Sequence, residues 1–165
     1  MIELNSKIQQ DFLNREWVQK LLDAEVDMSD AKYCIAKYHN YDVVFYKNSI
    51  FTTSETVTNI IPTYTVSELL YKLHEWRYPT IDGKEYSGGL KMIKDAPFYI
   101  CWYDLGRNEK RQTVDGEETV RVKGPENYIY AEFEYPIESF ASLLIQCHKK
   151  DIGIKTKDTG NISDK

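Results

Sequence analysis

The residues in this chain that come nearest to a reactive group are Glu132 and Glu134, two carboxylates two positions apart in the segment NYIYAEFEY. On a β-strand, residues i and i+2 project from one face. Paired carboxylates raise one another's pKa and can share acid–base work or hold a divalent cation. Glu126 and Glu138 extend the acidic run, with no Lys or Arg between them. The plainer reading is a solvated strand face, and the rest of the chain favours it. His39, His74 and His148 stand far apart, and none has a second His or a Cys at metal-site spacing. Cys147 and His148 are adjacent in a helical pattern, which turns their side chains about 100° apart. Cys34, Cys101 and Cys147 form no C-x-x-C pair and lie among apolar neighbours, as buried thiols of a reducing compartment do. No phosphate-binding glycine loop and no G-x-S-x-G elbow occurs. The expectation is a protein that is not an enzyme, with no catalytic residue, no metal site and no cofactor.

The thirteen tyrosines point to recognition instead. Tyr buries apolar area while keeping a polar tip, which suits protein interfaces. In residues 127–135, Tyr128, Tyr130, Glu132 and Glu134 alternate with Ile129, Ala131, Phe133 and Tyr135. The first four are the candidate protein-contact face, with the polar segment 106–116 beside it. The alternative is a small-molecule or nucleotide pocket in which Trp102 and Tyr103 stack on an anion that Arg107 and Arg111 pair with. A metal-dependent enzyme built on Glu132 and Glu134 is the third reading.

These residues need elements to hold them. Leu13, Trp17, Leu21 and Leu22 recur at helical spacing and predict a helix over 11–25. KYCIAKY (32–38) and YDVVFYK (41–47) predict a hairpin turning at His39–Asn40. Residues 48–58 are a strand or a loop. Thr65 followed by Glu68 forms a capping box for a helix over 66–76. Gly83, Gly88 and Gly89 make 80–96 mostly loop, with one short strand at most. PFYICWYDL (97–105) is apolar on both faces, as a central strand covered on both sides would be. Residues 106–116 read as a hairpin loop, and 118–123 and 127–135 as strands. Pro136 opens a C-terminal helix whose stripe is Ile137, Phe140, Ala141, Leu144 and His148, with Gly153 as its stop. The class is α+β: an antiparallel sheet of about five to six strands with N-terminal, middle and C-terminal amphipathic helices. Residues 1–153 form one domain and 154–165 a disordered tail.

Twenty-six acids against twenty-one Lys and Arg give a net charge of −5. Phosphate neutralisation drives nucleic-acid binding, so nucleic acid is a disfavoured partner. No apolar run reaches the length of a membrane span, and residues 1–20 lack the basic-then-apolar order of a signal peptide. The expected location is the cytoplasm.

Three segments, LLDAEVDMSDAKYCIAKY, IPTYTVSELLYKLHEW and ESFASLLIQCHKK, resemble a family of small uncharacterised proteins of prophage and mobile-element regions in Bacteroides-type and Gram-positive bacteria. The likeness spans residues 12–150, and 80–126 has no counterpart in it. Ile61, Pro62, Tyr64, Leu69 and Leu70 are the matched positions, and they are cap and core residues. What the resemblance implies is an accessory factor acting by protein–protein contact, of the kind that includes inhibitors of host defences. It carries no catalytic residue over.

Overall fold

A computed structural model describes residues 2–3, 11–48 and 57–150. The elements run β1 (Ile2–Glu3), α1 (Arg15–Asp23), β2 (Tyr33–Tyr38), β3 (Tyr41–Tyr46), β4 (Val57–Thr63), α2 (Val66–Leu73), β5 (Trp76–Arg77), β6 (Thr80–Ile81), β7 (Lys84–Glu85), β8 (Ser87–Asp95), β9 (Phe98–Thr113), β10 (Gly116–Lys123), β11 (Tyr130–Phe133) and α3 (Pro136–Lys149). Every ladder is antiparallel, and the fold is α+β with N-terminal, middle and C-terminal helices. The strands divide between two sheets, where the sequence suggested one. The first has the order β1-β3-β2-β4; the second runs β10-β9-β8-β5, with β11 also on β9; β6 and β7 make a small hairpin apart.

Local signals place most of the first half. β2 and β3 form the expected hairpin, with the positive φ falling on His39 (52°). The Thr65–Glu68 capping box is present in full, and Glu68 also accepts a hydrogen bond from the Lys32 backbone at 3.0 Å, tying α2 to the start of β2. Helix α2 stops at Leu73, earlier than the 76 expected, because His74 turns to φ 57° and β5 follows. Helix α1 starts at Arg15 rather than 11, since Asn14 caps it by accepting from the Trp17 N–H. Residues 12 and 13 instead lie along the end of β4: the Leu13 N–H donates to the Tyr64 carbonyl at 3.0 Å, and the Thr63 hydroxyl donates to the Leu13 carbonyl at 2.7 Å.

The larger core lies between the second sheet and the helices. Helix α3 covers the inner face of β9 and β11, with α1 and α2 packed on it. The Ser139 hydroxyl donates to the Tyr99 carbonyl at 2.7 Å and fixes α3 to β9. Ile137, Phe140, Ala141 and Leu144 are buried as expected, but Leu143 and Cys147 continue the stripe and His148 is exposed.

Three expectations are corrected. Residues 80–96 are mainly strand, because Ser87–Asp95 forms a full partner for β9. Residues 106–116 are not a loop: β9 continues to Thr113 and pairs with β10 in register from Gly106↔Lys123 to Thr113↔Gly116, a two-stranded arm turning at Val114–Asp115. Their polarity reflects an arm wetted on both faces, not an absence of pairing. Residues 127–135 form a strand only at Tyr130–Phe133, since Pro125–Tyr128 bows away from β9 between Gly124, whose N–H donates to the Leu105 carbonyl, and Ile129, whose carbonyl accepts from the Tyr103 N–H. The undecided segment 48–58 lies largely outside the described residues, as do Gly153 and the tail 154–165. No helix among the described residues is long and apolar enough to cross a membrane.

Candidate functional site

The period-two geometry of β9 sorts its side chains between two environments. Cys101, Tyr103 and Leu105 face inward and are buried. Ile100, Trp102 and Asp104 face outward, and the register sets their neighbours. Trp102 lies between Lys91 of β8 and Tyr130 of β11, and Ile100 between Ile93 and Glu132. Phe98 and Asp95 continue the face at one end, and Asp104 beside Gly89 at the other. A methyl group on Gly89 would sit 3.1 Å from the Trp76 ring, so glycine lets that indole lie flat on β8. No described element packs on this side. Trp76 (46%), Ile93 (52%) and Phe98 (41%) are exposed, while Ile100, Trp102 and Tyr130 are half-buried. β9 is therefore a central strand covered on one face, not two.

Of the four candidate contact residues, two stand together on this face. Tyr130 and Glu132 project outward, and the Tyr130 hydroxyl donates to the Glu132 carboxylate at 2.8 Å. That bond is the main cause of the upward shift of the Tyr130 pKa. The main chain of Tyr130 is gripped from behind by Gln146 of α3, which accepts from its N–H at 3.2 Å and donates to its carbonyl at 2.7 Å. Tyr128 precedes β11 and packs half-buried against the core. The Lys150 ammonium lies over its ring at 3.9 Å and donates to its carbonyl. Glu134 lies past the end of β11, where its charge bears on Glu138. Burial first, and the Glu134 charge second, raise the Glu138 pKa.

The anion-pocket residues separate. Tyr103 points inward while Trp102 points outward. Arg107 and Arg111 lie along the arm and share Glu109 as their ion-pair partner. Trp102 instead lines a cavity of about 380 Å³ where Pro125–Asn127 bows away from β9, walled by Asp104, Lys123, Glu126 and Asn127. Lys123 and Glu126 pair across it at 2.8 Å.

The three cysteine thiols are buried. Burial raises the Cys101 and Cys147 thiols to about 12 and about 11, and raises Cys34 as well. His39 is an exposed turn residue, and His74 an exposed helix cap. No three His, Cys, Asp or Glu side chains are grouped for a metal ion among the described residues.

Trp76, Lys91 and Ile93 join the face only through β8 and the β5 contact, in segments whose local sequence predicts a helix end and a loop, whereas Phe98 and Ile100 share the outward side of β9 with Trp102. The usable signal was Asp104: an acid among the even-numbered residues of an otherwise apolar strand marks the side that meets water. No family model, curated protein or solved structure matches this chain.

Proposed function

We propose that this protein is a non-enzymatic binding protein that works by contact with another protein, through the open face of its second sheet. The observation that carries the reading is the uncovered row of Trp76, Trp102 and Tyr130 with Ile93, Ile100 and Phe98, on strands held from behind by α3. Aromatic anchors on a rigid support bind at low entropic cost, and Trp and Tyr dominate the energetics of protein interfaces. The charges on the face are mixed: Asp95, Asp104 and Glu132 lie among Lys91 and Arg121. That balance suits a polypeptide partner better than a phosphate backbone. The resemblance to prophage and mobile-element proteins extends the proposal to a cytosolic factor that inhibits a host protein.

The test is affinity capture from bacterial lysate with the wild-type chain and with Trp102→Ala/Tyr130→Ala. One stoichiometric protein partner is expected on the wild type, with binding weakened at least tenfold by the double substitution. Undiminished capture by the folded double variant would discard this face. A second reading, a small-molecule site, is favoured by the cavity beside Trp102. A nucleotide or polyamine that raises the Tm by several degrees, with Asp104→Asn abolishing the shift, would select it.

A further inference from the structure

The second sheet closes one of its central edges and leaves another open. On β11, Gln146 occupies the main-chain groups of Tyr130. On β8, β5 pairs only with Gly88 and Gly89, and the last bond to that side runs from the Leu90 N–H to the Glu75 carbonyl at 2.8 Å. Since main-chain groups alternate sides along a strand, the N–H and C=O of Met92 and Lys94 also point outward, and no described strand meets them. Residues 91–98 are all exposed, Met92 and Ile93 each by 52%.

We propose that this edge is a self-association surface, on which β8 of a second copy pairs antiparallel about a two-fold axis through Ile93. Three arguments select the occupant and the register. Outward-pointing residues must face one another, so the axis passes through Met92, Ile93 or Lys94. Through Lys94 it would oppose two ammonium groups, and through Met92 it would drive the partner's Lys94 onto Leu90, already bonded to Glu75. Through Ile93, the partner's Asp95 stands opposite Lys91 and the partner's Lys91 opposite Asp95. Ile93 meets its own symmetry mate, and Met92 and the partner's Lys94 exchange main-chain bonds. A lysine on an edge ordinarily repels an incoming strand; this register sets an aspartate against it, twice.

The geometry beyond the strand agrees. The partner's chain turns toward its own β9 after Asp95, before reaching β5. On the inner face, the stems of the partner's Met92 and Lys94 lie across the mouth of an apolar cavity of about 290 Å³ lined by Met92, Tyr99, Cys101, Pro136 and Phe140. On the outer face, the two open surfaces join into one. The contact is isologous, so it closes at two copies. A strand pair this short buries less than the roughly 1,200–2,000 Å² of a standard interface, so the dimer forms in a concentration-dependent way. The proposal does not depend on the contact with a different protein.

Sedimentation equilibrium of the full chain over a broad micromolar range tests it, with circular dichroism confirming that each variant folds. The wild type is expected to pass from monomer to dimer. Lys91→Asp and Asp95→Lys each place like charges opposite at both symmetric sites and are expected to weaken the dimer about tenfold. The double exchange Lys91→Asp/Asp95→Lys restores it, which a merely structural effect of either substitution would not do. A wild type that stays monomeric throughout overturns the proposal. So does a dimer indifferent to the single exchanges, or one the double exchange fails to rescue.

Discussion

The most consequential single side chain in the core is Tyr103. Helix α2 ends with carbonyls that have no intrahelical partner, a cost every helix terminus must meet. Here the Tyr103 hydroxyl lies at the Leu73 carbonyl and 2.8 Å from that of His74, while Arg77 donates to Leu73 at 3.1 Å and to the Tyr103 oxygen at 3.3 Å. The Arg77 cation also sits at the negative end of the helix dipole. Removing the hydroxyl leaves buried carbonyls short of a donor, which costs about 1–3 kcal/mol. Tyr103→Phe should therefore lower the urea midpoint by that amount at an unchanged m value. Tyr130→Phe loses only a surface bond to Glu132 and should stay within about 0.5 kcal/mol of wild type. Equal effects from the two would refute this account of the helix end. In the sequence alternation sets Tyr130 on the side of Glu132 and Tyr103 on the side away from Asp104, but nothing local tells that the Tyr103 hydroxyl meets a helix end. The distinction arises because β9 brings position 103 beneath α2.

At the scale of elements, the β9–β10 arm separates stability from topology. Beyond Gly106 and Lys123 neither face is covered by a helix, and residues 111–119 are exposed. An isolated two-stranded ribbon is marginal in water, so the arm draws its order from the sheet at its root. There Arg121 reaches back to the Ser87 carbonyl at 2.7 Å. Deleting 109–120 and joining Asn108 to Arg121 through Asn-Gly keeps that root and should shift the Tm by no more than a few degrees. Amides beyond Asn108 should exchange much faster than those of Phe98–Leu105 in the intact chain. A large drop in Tm would mean that the arm contributes to the core. The same region shows why its glycines are not those of a loop. A methyl on Gly88 would lie 2.1 Å from the Asp104 carbonyl. The absent side chain answers a close approach of β9 made 16 residues later, a requirement that resembles a loop signal when only the local sequence is read.

At the scale of the whole molecule, burial of weakly acidic groups ties the core to alkaline pH. Burial, the largest cause in each case, raises Tyr103 to about 12, Cys101 to about 12 and Cys147 to about 11, against ordinary values of 10.0 and 9.0. A group whose folded pKa is raised contributes stability that is complete below its unfolded pKa and is lost as pH rises toward the folded one. The urea midpoint should thus hold up to about pH 9 and fall steadily between about 9 and 12. Tyr103→Phe and Cys101→Ala should each make that fall shallower. A midpoint flat across this window would show that these groups ionise alike in the folded and unfolded chains.

The chain's order alone determined the elements whose causes are local. The capping box at Thr65 and Glu68 fixes the start of α2, the short His39–Asn40 connection makes the first hairpin, and Pro136 opens α3. Each depends on contacts a few residues apart, and together they sufficed for the α+β class. Part of the candidate face was also legible, because alternation alone places Tyr130 and Glu132 on one side of a strand. The tertiary structure decided the rest. It bowed Pro125–Tyr128 away from β9, leaving Tyr128 under Lys150, and ended β11 at Phe133, leaving Glu134 off the face. It also added Trp102, Ile100, Ile93 and Trp76 to the face by pairing β8 and β11 with β9. The β8 pairing is a local hairpin closing at Asp95↔Phe98, but β11 meets β9 across a long stretch of chain, from Tyr130↔Trp102 to Phe133↔Tyr99, and that closure entropy is offset only when the inner face is buried by α3. Which side of β9 would stay open was settled by where that helix came to lie.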